Sequence, residues 1–181
     1  RILKMSGLPR YFILTGEPGV GKTTLVKKLV DKIGQKHVFP VGFYTEEVRK
    51  NRTRVGFDVV TLEGERAPLA RSLDLMKDEP KYTVGKYGVL LNDFENLAFP
   101  ALGSNALLVI DEIGKMELFS ENFANYIKSI FNANSKSIVL ATIPLRKSQP
   151  LVENIRNNIN TRIWTYNMEF INHLVSVTQA S

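Results

Sequence analysis

The chain contains no cysteine. Disulfides, thiolate nucleophiles and cysteine-built zinc sites are therefore excluded, and the composition suits a reducing compartment. Histidine is almost as scarce. His37 and His173 are the only two, too few and too scattered to suggest a catalytic metal centre, and each reads as an ordinary surface residue. No apolar run approaches the roughly 20 residues that span a bilayer. No succession of charged, apolar and small residues marks a secretory signal at the start. These absences predict an intracellular, cytoplasmic protein. Targeting ahead of Arg1 stays open, as does the origin of residues 1–4, which precede Met5. No linker, low-complexity tract or repeat interrupts the sequence, so residues 1–181 are expected to form one domain. The formal charge of +6 invites a polyanionic partner. Yet the basic residues are dispersed among acids. They are densest at Arg49-Lys50-Asn51-Arg52-Thr53-Arg54, which reads as a hairpin tip, and at Arg146-Lys147. Nucleic acid is not favoured as the main partner, because charge alone does not specify it.

What the chain does have is Gly16-Glu17-Pro18-Gly19-Val20-Gly21-Lys22-Thr23, which matches G-x-x-x-x-G-K-[ST], the phosphate-binding loop. Its context supports the match. The apolar run Tyr11-Phe12-Ile13-Leu14 reads as a buried strand entering the loop, and Thr24 to Val30 as an amphipathic helix leaving it. Glycines let the backbone curl so that several N–H groups point inward at phosphate oxygens. The helix N-terminus adds partial positive charge. Lys22 can reach the β- and γ-phosphates, and Thr23 can ligate Mg2+.

Strands and helices alternate along the rest. Strands are expected at Val41–Thr45 and Arg54–Leu62, joined by a polar turn at Lys50-Asn51-Arg52. Further strands are expected at Thr83–Val89, Ala106–Ile110, Ser137–Thr142 and Thr161–Tyr166. Helices are expected at Asn92–Leu102, with Asn92 or Asp93 near its cap, and at Ser120–Phe131, Leu151–Asn157 and Glu169–Val177. This alternation predicts an α/β fold: a mainly parallel sheet, helices on both faces, and a β-hairpin-rich insert after the first helix. In such sheets ligands sit at the carboxyl ends of the strands.

A polar residue ending a second buried strand is thus a site candidate, and Asp111-Glu112 directly follows Leu107-Leu108-Val109-Ile110. Asp111 is placed to hold Mg2+ through a water, opposite Thr23. Glu112 is placed to orient the attacking water or accept its proton. The alternative is a pair of solvated acids in a turn, or a supporting role for Glu112. Lys115 could add charge near the γ-phosphate or pair with Glu117 on the surface. Thr142 could read the γ-phosphate or cap the turn before Pro144. Arg146 could act as an arginine finger. Glu46, Glu47 and Arg49 could face the nucleotide or form a polar loop. Read from the residues alone, these features describe a Mg2+–nucleoside triphosphate site with a water-orienting acid, hence phosphoanhydride hydrolysis. No N-K-x-D element selects a base.

Four segments carry a more specific likeness: Gly16 to Leu25, Gly42 to Arg49, Gly56 to Leu62 and Val109 to Glu117. Together they resemble the signatures of the cancer-related nucleoside-triphosphatase family, found in animals and in thermophilic archaea and bacteria. The likeness continues through Ala141-Thr142-Ile143-Pro144 to the last helix. It implies a P-loop NTPase fold and Mg2+-dependent hydrolysis of ATP, GTP and other nucleoside triphosphates to diphosphate and phosphate, with broad base tolerance and slow turnover. Lys22 and Glu112 would be catalytic. The family's nucleotide-contacting segments fall on Gly16, Glu17, Pro18, Gly19, Val20, Gly21, Lys22 and Thr23, and on Val109, Ile110, Asp111, Glu112, Ile113, Gly114, Lys115 and Met116. One departure is Ile171, where family members often carry arginine before the final His-Leu. Two other functions share these motifs. A small-molecule kinase would need an arginine-rich lid, for which Arg66 to Arg71 is the only hint. A nucleotide-gated RNA-binding module would use the basic tip Arg49 to Arg54. Protein partners and oligomeric state stay open, and a monomer is compatible.

Overall fold

The computed structural model describes residues 9–103 and 107–166. The expected helix at 169–177, with Ile171 and His173, lies outside them, as do residues 1–4 and the first residue of the strand expected from Ala106.

Strand β1 (Tyr11–Thr15) enters the glycine loop, and helix α1 (Lys22–Gly34) leaves it. Strands β2 (Val41–Lys50), β3 (Thr53–Thr61), β4 (Arg66–Ser72), β5 (Thr83–Val84) and β6 (Tyr87–Val89) follow before helix α2 (Leu91–Leu102). The alternating half comprises β7 (Leu107–Asp111), α3 (Glu121–Ile130), β8 (Ile138–Thr142), α4 (Pro150–Arg156) and β9 (Thr161–Thr165). The described strands join one sheet of order β5-β6-β4-β3-β2-β7-β8-β1-β9. From β2 to β9 the neighbours run parallel. From β2 outward to β5 they run antiparallel, forming the hairpin-rich insert.

Period-two alternation divides the core between the two faces. Tyr11 and Ile13 of β1, Leu108 and Ile110 of β7, and Val139 and Ala141 of β8 pack with α2, α3 and α4 on one side. Leu14, Val109 and Leu140 pack with Val26 of α1 on the other. On the larger side Phe43, Phe94 and Phe123 meet with centroids 5.3–5.9 Å apart, two of the three contacts edge-on, the geometry aromatic quadrupoles favour. Ser120 caps α3 by accepting from the Phe123 N–H at 2.9 Å, so that helix starts one residue later than expected.

Four details differ from expectation. Strand β2 does not end at Thr45 but runs on to Lys50, because Glu46 and Glu47 pair in register with Asp58 and Phe57 of β3. The hairpin closes through Asn51 and Arg52, both at positive φ as a two-residue turn demands. The Arg66–Arg71 stretch is no lid but part of β4. Its Pro68, lacking an N–H, sits opposite Asp58 where the pairing register shifts. The strand expected at Thr83–Val89 is a small hairpin, bent at Gly85, whose φ is +56°. Finally, α2 is capped by Leu90, whose carbonyl accepts from the Phe94 N–H at 3.1 Å, while its own N–H donates to Leu69 of β4. Asp93 sits inside the first turn instead. Among the described residues no helix is long and apolar enough to cross a membrane.

Candidate functional site

Parallel strands bring their carboxyl ends to one edge. Here β8 lies between β1 and β7, so Thr15, Thr142 and Asp111 end side by side. Alternation then sets direction. Asp111 is two residues beyond Val109 and Thr142 two beyond Leu140, so both side chains lie on the α1 face. The first turn of α1 carries Lys22 and Thr23 to the same place.

The loop has the shape its glycines permit. Gly19 and Gly21 take φ of +78° and +107°, open to glycine at no steric cost. Glu17, Pro18 and Gly19 are exposed, Val20 is half-buried, and Gly16 is buried. Lys22 is buried, and its Nζ donates to the carbonyls of Gly16 at 3.0 Å and Glu17 at 3.2 Å. The cation is thereby held against the loop.

Asp111 is 1 % exposed. Its Oδ1 accepts a hydrogen bond from Thr142 Oγ1, so the threonine neither caps the turn before Pro144 nor stands apart from the acid. Its Oδ2 is buried with no hydrogen-bond donor, although the Thr23 hydroxyl lies close. Burial pushes the Asp111 carboxyl up. The Thr142 and Thr23 hydroxyls oppose that shift, as do the charges of Lys22 and Lys27. The half-buried Glu112 is also raised, by burial first and by Asp111 beside it, with Lys22 opposing.

A third acid joins them. Glu117 is 4 % exposed and accepts the Gly114 N–H at 3.2 Å. Burial and the nearby Glu112 push it up to about 8. Of the two readings of Lys115, the surface pair with Glu117 is not formed: Lys115 is exposed, whereas Glu117 turns inward to the backbone amide. The sequence reading missed this role for Glu117. Its signal was an acid three residues after a glycine, a spacing that lets one short turn bring carboxylate and N–H together. Gly114 is boxed between the two acids, since a Cβ there would lie 2.7 Å from Glu112 Oε1 and 3.1 Å from Glu117 Oε2.

The other candidates divide. Val109, Ile110 and Ile113 are core residues with no exposed surface, and Met116 packs against the core. Arg146 is exposed in the loop after β8, and no described contact joins it to the glycine loop or to Asp111. Glu46 and Glu47 form no loose loop. Glu46 pairs with Lys27 of α1 and with Arg66, and Arg66 reaches Asp58 at 2.9 Å. Glu47 pairs with Arg49 and Arg54. These links hold both glutamates below the usual carboxylate range. They also tie the β insert to the helix that carries Lys22.

Glu117 makes stability pH-dependent. An acid whose folded pKa is raised holds a proton that the unfolded chain releases above roughly pH 4.5. Stability therefore falls as pH climbs from there through about 8, and then levels. Asp111 and Glu112 act with the same sign. Glu117→Gln, which keeps an oxygen for the Gly114 N–H, removes its own share, up to about 5 kcal/mol. In metal-free melting curves from pH 5 to 9 the variant should show a shallower slope and should exceed the wild type most above pH 8. Identical slopes would contradict the burial of a neutral Glu117.

The human cancer-related nucleoside-triphosphatase is 43 % identical over 93 % of this chain and 94 % of its own length. The nucleoside-triphosphatase THEP1 of Aquifex aeolicus is 43 % identical over 80 % of this chain and 83 % of its own. The crystal structure of THEP1 from Aquifex aeolicus superposes with a TM-score of 0.78 at 38 % identity, covering 93 % of this chain and 96 % of that one. The solution structure of the human cancer-related nucleoside triphosphatase superposes with a TM-score of 0.74, covering 95 % and 98 %. With a family model described as NTPase matching residues 11–176, and with relatives above 40 % identity along most of their length, this chain belongs to the NTPase family, which includes the cancer-related nucleoside-triphosphatase and THEP1.

Proposed function

We propose that this protein hydrolyses nucleoside triphosphates to diphosphate and phosphate, with Mg2+ as cofactor, broad base tolerance and slow turnover. The observation that carries the reading is the meeting of Lys22 and Thr23 with Asp111 on one edge of the sheet, the Oδ2 of that acid buried without a donor. A buried carboxylate oxygen beside a threonine hydroxyl offers the hard oxygen donors Mg2+ takes. Thr23 and Asp111 would hold the ion. When bound, it would neutralise charge on the phosphate oxygens.

The rest is work for the chain's own groups. The backbone N–H groups of Gly16 to Thr23 and the Lys22 ammonium cradle the phosphates. Glu112 orients a water for attack on the γ-phosphorus and takes its proton as the bond to the β-phosphate oxygen breaks. Its raised proton affinity suits that task. Glu117, neutral near pH 7, spares the pocket a third negative charge and keeps the Gly114 turn in place. Slow turnover is carried over from the likeness to the family.

The kinase reading loses its one hint, because Arg66 and Arg71 are bound to Asp58 within the sheet. The RNA reading weakens because Arg49 and Arg54 at the hairpin are both engaged by Glu47. The test is phosphate release from ATP, GTP, CTP and UTP with Mg2+ and no acceptor. All four should be hydrolysed at rates within about tenfold of one another, and chelation of the metal should stop the reaction. Phosphate transfer only after a second substrate is added would overturn the proposal.

A further inference from the structure

Thr142 ends the strand that lies between the glycine-loop strand and the acid strand. Its main chain is pinned on both sides. The Ile143 N–H donates to the Leu14 carbonyl at 3.0 Å, two residues before the loop begins. The Thr142 carbonyl accepts the Ile113 N–H at 2.9 Å, two residues past Asp111. Register agrees, since Leu14 and Thr142 are partners across β1 and β8. Thr142 itself is 0 % exposed, so it offers no surface to a ligand. Its remaining polar group is the hydroxyl, which donates to Asp111 Oδ1.

A carboxylate has two equivalent oxygens, and a turn about its last bond exchanges them. One fixed donor ends that equivalence. Asp111 is 1 % exposed, and its Oδ2 has no donor. With Oδ1 taken by Thr142, Oδ2 is the oxygen with lone pairs to offer. The Thr23 hydroxyl lies close to the same carboxylate. Mg2+ demands near-ideal octahedral geometry, so an oxygen aimed a little wrong binds it poorly. Groups that hold a metal ligand by hydrogen bonds therefore tune the metal without touching it. We propose that Thr142 is a positioning residue for the metal site: its hydroxyl fixes the Asp111 carboxylate and leaves Oδ2 to the Mg2+, while Thr142 meets neither metal nor nucleotide. This inference rests on the reading of Thr23 and Asp111 as the groups that hold the ion. It gives Thr142 a part in the site that is neither contact with the γ-phosphate nor a cap on the following turn.

Calorimetric titration of a non-hydrolysable ATP analogue, at a series of Mg2+ concentrations and in excess chelator, tests it. Thr142→Val keeps the branched shape and loses the hydroxyl. It should raise the half-saturating Mg2+ concentration by about 10- to 100-fold and leave metal-free binding of the analogue within about twofold of wild type. Thr142→Ala, smaller and equally without a hydroxyl, should show the same shift if the valine variant does not fold. Thr142→Ser restores the donor and should stay within about threefold of wild type. Unchanged Mg2+ dependence in the valine or alanine variant would overturn the proposal. So would an equal shift in Thr142→Ser, which would trace the effect to packing, or an equal loss of metal-free binding, which would mean that the loop had moved. The two readings fail differently. Wild-type binding indifferent to Mg2+ would remove the metal site and this inference with it. Wild-type dependence that survives loss of the hydroxyl would remove the inference alone.

Discussion

Glu112→Gln should lower kcat by about 10²- to 10⁴-fold while leaving KM and the affinity for a non-hydrolysable triphosphate within about threefold of wild type. The substitution keeps the shape of the side chain and removes only its capacity to take a proton. The phosphate-binding groups are untouched, since the loop and Lys22 are held by bonds in which Glu112 has no part. What changes is the water. A half-buried carboxylate raised by burial and by Asp111 is a stronger base than one in solvent, and an amide is none. Single-turnover phosphate release measures the chemical step, and titration with the analogue measures binding. A kcat within threefold of wild type would take Glu112 out of the reaction and leave the water to another group. Asp111→Asn is the natural comparison. It should weaken Mg2+-dependent nucleotide binding, because it changes the acid whose Oδ2 is left without a donor.

Gly42→Ala should destabilise the fold by at least about 3 kcal/mol, lowering the melting temperature by roughly 6–12 °C. Two independent effects add at this position. Gly42 has φ of +133°, a backbone conformation that a side chain strains. A Cβ there would also overlap the Val109 carbonyl oxygen and come within 2.9 Å of its carbonyl carbon. Both partners are strand backbone in register, so neither can yield without parting β2 from β7. Gly64→Ala separates the two effects. Gly64 has φ of +95° but open space around it, so its alanine variant should cost about 1 kcal/mol. A Gly42→Ala protein melting within 2 °C of wild type would show that β2 and β7 are not so closely apposed. Activity should fall with stability, because Val109 lies two residues before Asp111 on the displaced strand.

Local chemistry made much of this molecule legible in advance. The glycine loop between an apolar run and an amphipathic helix, the buried strand ending in Asp111, and the helix that begins beside Ser120 all depend on residues close in sequence. What escaped depended on partners far away. The continuation of β2 through Glu46 and Glu47 looked polar because the charges of Arg66 and Lys27, which draw Glu46 into the sheet, are distant in sequence. Arg66 to Arg71 offered only the hint of an arginine-rich lid, because its place as a strand is set by a shifted pairing with β3 opposite Pro68. Glu117 looked like a surface charge, since burial cannot be read from an acid beside a lysine.

By itself, then, the chain determined its phosphate loop, its alternation of strand and helix, and the acids that face the loop, because turn geometry and side-chain periodicity act over a few residues. Tertiary structure alone decided that β8 enters between β1 and β7, which hands the Thr142 hydroxyl to Asp111, and that β9 flanks β1, which lays Tyr166 across Gly16 and Gly21. Strand order is a choice among long-range pairings of similar apolar segments, settled by how both faces of the sheet are covered together, and no short stretch of sequence encodes it.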